Sequence, residues 1–138
     1  MDFLMERRFR LDENEDLFET IEFLQEERLA KRSATPAPKL PKGFDFEKLR
    51  ELPAFLEPIG TFLEYNPATF HKAYGFFSEE VLLCAESEKL WQNSNRAPDD
   101  YKTSVFWRSF ATFANATQRR YGPRQYGLRG VLQRFLPF

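Results

Sequence analysis

The chain is 138 residues long, 42% hydrophobic and 17% aromatic, with a formal net charge of −1. That length points to one domain, which buries about two-thirds of its unfolded surface and needs no metal or disulfide to hold a core. The single cysteine, Cys84, excludes an intramolecular disulfide, and with only one histidine, His71, it excludes a Cys/His zinc cluster.

Charge is unevenly spread. Residues 1–100 carry 13 Lys/Arg against 21 Asp/Glu, a balance of −8, whereas residues 101–138 carry seven Lys/Arg and no acid. Such asymmetry points to a charged partner or to self-complementation. Sixteen Phe residues imply either a thick aromatic core or an aromatic contact surface. No run reaches the roughly 18 uncharged apolar residues of a transmembrane helix. The start, MDFLMERRFR, has early acids and lacks the apolar centre of a secretory signal. The expected location is therefore cytoplasmic.

In chain order, residues 1–11 mix charges and aromatics without a clean period. From Asp12 to about Arg32 the pattern is helical, with Leu17, Phe18, Ile21 and Leu24 assigned to one face. Acids crowd its start and Arg28, Lys31 and Arg32 its end, as the helix dipole favours. The face is narrow, suited to docking on the main domain or to pairing with another copy. Residues 33–43, SATPAPKLPKG, read as an extended, semi-stiff spacer because three prolines and no period leave nothing else.

The densest apolar pattern lies in 45–91. Leu49, Leu52, Leu56, Ile59 and Phe62 or Leu63 form a helical stripe that Asp45 can cap. Pro53 and Pro58 argue for a short helix over about 45–51 and a restart at Pro53, since each proline removes a donor and crowds the turn before it. Asn66-Pro67 predicts the end of one helix at Tyr65 and the start of the next, capped by Asn66. Phe70, Tyr74 and Phe77 then share a face; Gly75 should loosen that helix, and Ser78 can cap a fresh segment carrying Val81, Leu82, Leu83, Leu90 and Trp91. QNSNRAP is a loop. A last helix should run from Asp99-Asp100 to about Arg120, with Phe106, Phe110, Phe113 and Thr117 as its stripe. The stretches AFLEPIGTFLEY, NPATFHKAYGFFSEEVLLCAESEKLW and YKTSVFWRSFATFA, within residues 45–117, resemble a large bacterial family of all-helical domains of uncharacterised function. Many members of that family sit behind one N-terminal transmembrane helix, and the absence of a long apolar run in these residues sets the expectation that this chain departs from that arrangement. The resemblance implies an all-helical domain and carries no catalytic residue over.

The expected fold is thus all-α: an N-terminal amphipathic helix (1–32), a Pro-rich linker (33–43), a helical domain (44–120) and a basic aromatic tail (121–138). No metal, cofactor or catalytic constellation is expected. His71 has no Ser or Cys motif beside it, and Cys84, in VLLCA, reads as a small buried hydrophobe. The acids of 13–27 lack the spacing of a calcium loop. In the tail, Arg119, Arg120, Arg124, Arg129 and Arg134 interleave with Tyr121, Tyr126 and Phe135. Arginines neutralise phosphates and tyrosines stack on bases, so these eight residues suit single-stranded nucleic acid. They equally suit packing on the chain's own acidic surface or on a protein partner, or anchoring on an anionic membrane. The expected function is a non-enzymatic protein-interaction module, homo-oligomeric, with a nucleic-acid-binding accessory role of the tail as the alternative.

Overall fold

In the computed structural model of the protein, residues 2–92 and 108–121 are described. They form six α-helices, one 3-10 turn and no strand. The helices are α1 (Phe3–Glu13), α2 (Glu15–Arg32), α3 (Phe46–Tyr65), α4 (Phe70–Glu86), α5 (Glu88–Gln92) and α6 (Arg108–Tyr121). The all-α expectation holds.

The N-terminus departs from the sequence reading in two ways. Residues 3–13 are helical despite their weak pattern, because Asp2 accepts from Met5 N at 3.0 Å and caps α1, while Leu4 and Leu11 anchor it in the core. Asn14 then divides α1 from α2. Its N–H bonds Leu11 O, and its side chain accepts from Leu17 N at 3.0 Å. The buried face of α2 is Leu17, Thr20, Phe23 and Leu24; Ile21 is half-buried and Phe18 points outward. Of the two roles open to this helix, docking on the rest of the chain is the one seen: α2 packs on α3 and α4, and α1 on α4. Arg8 fastens α1 to α4. It donates at 2.6 Å to both the Phe76 carbonyl and the buried Glu80 carboxylate, and Glu80 holds its guanidinium charged against the cost of burial.

The helix α3 is unbroken through Pro53 and Pro58, where a break was expected. Asp45 caps it as predicted, accepting from Lys48 N at 2.9 Å. Each proline leaves the carbonyl four residues earlier without its helical donor, at Leu49 and Ala54. Donors from the N-terminal helices reach the neighbouring carbonyls: Thr20 Oγ1 lies 3.4 Å from Lys48 O, and Arg7 Nη2 donates to Phe55 O. The stripe Leu49, Leu52, Leu56, Ile59 and Leu63 is wholly buried, which offsets the prolines' cost. Of the Phe62/Leu63 alternatives, Leu63 faces the core; Phe62 stacks on Phe3 at 4.9 Å nearer the surface.

Asn66 ends α3 rather than capping the next helix. Its amide donates to Phe62 O at 3.0 Å, and its carbonyl accepts from Thr69 Oγ1 at 2.7 Å. A 3-10 turn, Pro67–Thr69, leads into α4, which runs through Gly75 and Ser78 without the expected restart. Phe70, Ala73, Phe77, Val81 and Cys84 form its buried stripe. In α6, Phe110, Phe113 and Thr117 are buried as predicted, whereas Phe106 and residues 99–107 of the expected helix lie outside the described residues.

The pair α3–α4 is central, and α6 lies across both. Its first turn sits in a socket on α3. The Glu57 carboxylate accepts from Ser109 N at 3.2 Å and Phe110 N at 2.7 Å, so an acid of another helix satisfies donors that a helix start leaves free. One turn on, Gly60 meets the Ser109 carbonyl so closely that a Cβ there would lie 2.1 Å from the oxygen. Thr61 and Ser109 hydroxyls share a hydrogen bond of 3.0 Å. Glu27 of α2 does the same service for α5, accepting from Ser87 Oγ at 2.5 Å and Lys89 N at 3.0 Å. Trp91 then packs on Phe110 and donates to Cys84 O at 2.7 Å.

Candidate functional site

The helix α6 brings two of the eight sequence-predicted contact residues into view. Arg119 is exposed on its last turn. Arg120 is half-buried: its guanidinium lies 5.1 Å over the Phe70 ring, and Nη1 is 3.4 Å from Nε2 of His71. Both arginines stand where the helix dipole is negative, so they stabilise the end of α6 whatever else they touch. Tyr121 closes the helix. Arg124, Tyr126, Arg129, Arg134 and Phe135 lie outside the described residues. The arrangement of Phe70, His71 and Arg120 was not foreseen, because it joins α4 to α6 across 49 positions of sequence.

The nucleophile candidate is buried away from any such surface. Cys84 is 0% exposed, and burial first, then the Glu80 carboxylate, pushes its thiol well above the ordinary 9.0. A reactive thiol needs the opposite environment, open and electropositive. Among the described residues, no group of three or more His, Cys, Asp or Glu side chains is arranged to hold a metal ion, and no helix is long and apolar enough to cross a membrane.

A cleft of about 510 Å³ opens between α2, the segment after it and α4–α5, with Leu24 and Leu83 at its floor. Arg32 apart, its charged lining is matched internally. Arg28 lies 2.8 Å from Glu79 and 3.2 Å from Glu86, and Lys31 lies 3.4 Å from Glu88. Paired charges of this kind close a surface seam and leave little to recruit a charged ligand.

The surface least accounted for by the fold is the outward side of the N-terminal helices. Phe9 on α1 is 50% exposed, and Phe18 and Leu29 on α2 are 60% and 62% exposed. Scattered exposed apolar groups are ordinary. These two on α2 are different in that they recur eleven residues apart, three helical turns, on one line of the helix. Around them stand Glu15, Asp16, Glu19, Glu22 and Glu26, all exposed. The sequence reading placed Phe18 inward with Leu17. The signal that separates them is Thr20, which completes an inward line Leu17, Thr20, Leu24 at steps of three and four. No protein-family model, curated protein or solved structure matches the chain.

Proposed function

We propose that this protein is a non-enzymatic protein-interaction module that acts in the cytoplasm and assembles with itself or with a protein partner. The observation that carries this reading is the outward display of Phe9, Phe18 and Leu29 on helices whose inward faces are already buried. An interface core is built from such aromatic and aliphatic side chains, while flanking charges select the partner. Kinship with the tethered helical domains that residues 45–117 resemble belongs to the same proposal. The tail, with Arg119 at its head, supports a second reading as a nucleic-acid contact, favoured by seven cations and no acid between Tyr101 and Phe138.

Affinity capture from the native host, with and without nuclease, separates the two. A protein partner retained after nuclease treatment, and lost from a Phe9→Ser/Phe18→Ser/Leu29→Ser variant that melts like wild type, is the expected result. Retention of RNA or DNA that vanishes on replacing Arg119, Arg120, Arg124, Arg129 and Arg134 by Gln would favour the second reading. Recovery of neither would remove both.

A further inference from the structure

The outward line of α2 has a regular order. Glu15, Phe18, Glu22, Gln25, Leu29 and Arg32 are spaced by three, four, three, four and three residues, and all six are exposed. That is the a/d spacing of a two-helix coiled coil, with apolar residues at Phe18 and Leu29 and polar ones at the other four positions, here turned away from the protein's own core. Read backwards, the seam is its own complement. Residues whose numbers add to 47 oppose each other when two such helices run antiparallel. Glu15 then meets Arg32, Phe18 meets Leu29, and Glu22 meets Gln25, each twice about a two-fold axis. We infer that the exposed seam of α2 is the interface for a second copy of this chain, paired antiparallel in an isologous dimer. This deepens the interaction-module reading and rests on it.

Charge decides both occupant and direction. A parallel pair would set Glu15 against Glu15, Glu22 against Glu22 and Arg32 against Arg32. The antiparallel pair replaces all three repulsions: carboxylate meets guanidinium at each end, and amide N–H donors of Gln25 meet the carboxylates of Glu22 at the centre. Polar pairing in the middle of a seam fixes register, as a single buried amide does in coiled coils. The two Phe18–Leu29 layers on either side supply the apolar burial. One flank carries a cost, because Glu19 faces Glu26 of the other copy. It is reduced by Lys48, whose ammonium lies 2.7 Å from Glu19 and is held charged by it. The seam is about 25 Å long. Its contact area sits at the small end of specific interfaces, so the dimer should be weak and concentration-dependent.

Sedimentation or light scattering on the full chain, at low salt over roughly 1–200 µM, is the test. A monomer–dimer equilibrium is expected, with affinity reduced at least tenfold in Phe18→Ser/Leu29→Ser at an unchanged melting temperature. Glu15→Arg and Arg32→Glu should each be monomeric alone, since each sets like charges against one another at both ends. Mixed together, the two variants should dimerise again. That recovery cannot come from a folding defect, and the loss in each variant alone requires the antiparallel register, because in a parallel pair each change only exchanges one like-charge pair for another. A wild type that stays monomeric throughout overturns the inference, whether residues 122–138 of the same chain or a foreign helix then covers the seam. So does a dimer indifferent to these substitutions. A monomer that still captures a host protein through Phe18 and Leu29 would leave the broader reading standing.

Discussion

Two glycines inside helices have opposite expected effects when changed to the same residue. At Gly60 a Cβ would meet the Ser109 backbone carbonyl at 2.1 Å, and neither backbone can yield without lifting α6 from α3. Gly60→Ala should therefore destabilise by about 3 kcal/mol, the upper end for overpacking, despite alanine's better helix propensity. At Gly75 nothing lies within 4 Å. Gly75→Ala should stabilise by about 0.5–1 kcal/mol through reduced freedom of the unfolded chain. Chemical denaturation of the two variants reads both signs. Cys84 makes a prediction in pH. Its thiol is raised above 9.0 in the folded protein, so folding excludes the thiolate. Its contribution is fully present below that ordinary value and is lost as pH rises past it, where the unfolded chain ionises first. Melting temperature should fall more steeply above pH 9 in wild type than in Cys84→Ala, and thiol reagents at pH 8 should modify Cys84 only on unfolding.

At the scale of the element, the first turns of α5 and α6 are completed by acids from other helices, unlike α1–α3, which are capped by their own flanking residues. Glu57 satisfies α6 and Glu27 satisfies α5, so each carboxylate both caps a helix and fixes its neighbour. Glu57→Ala should cost about 1–2 kcal/mol, the range of a lost helix cap. The loss should concentrate in α6: amide exchange of its first turn should rise more than that of α3 or α4. Uniform acceleration across all helices would mean the carboxylate matters to global stability alone. The same logic explains α3. Its two prolines are tolerated because a fully buried stripe holds the helix in place and side chains of α1 and α2 reach the loosened stretch of backbone.

For the whole molecule, the consequence is that the N-terminal helices are structural. Leu4, Leu11, Leu17, Phe23 and Leu24 are at most 4% exposed and belong to the same apolar cluster as α3, α4 and α6. Burying a side chain of this size is worth about 1.5–3 kcal/mol, against a total stability of about 5–15 kcal/mol for a domain. Removing residues 1–32 should therefore abolish cooperative unfolding. A truncated chain that still melts sharply, with helicity in proportion to its length, would show that α3, α4 and α6 form a core by themselves. The inward face of this helix pair thus closes the fold, while Phe18 and Leu29 stay exposed on the outward side of α2.

The all-helical class was legible in the residues themselves, because helical periodicity and caps are local. Asp45 capping α3, the buried line from Leu49 to Ile59, and Phe110, Phe113 and Thr117 of α6 all follow from spacing a few residues wide. What the tertiary structure decided depends on groups distant in sequence. The break expected at Pro53 does not occur, since burial of the stripe outweighs a local penalty and Arg7 and Thr20 reach the backbone from other helices. The α1 helix forms on a pattern too weak to show it, because Leu4, Leu11 and the Arg8–Glu80 bond draw it onto α4. Which side of α2 faces water could not be read either. Apolar residues occur on both sides, and only contact with α3 and α4 selects Leu17 and Leu24 for the core. That choice leaves Phe18 and Leu29 outside.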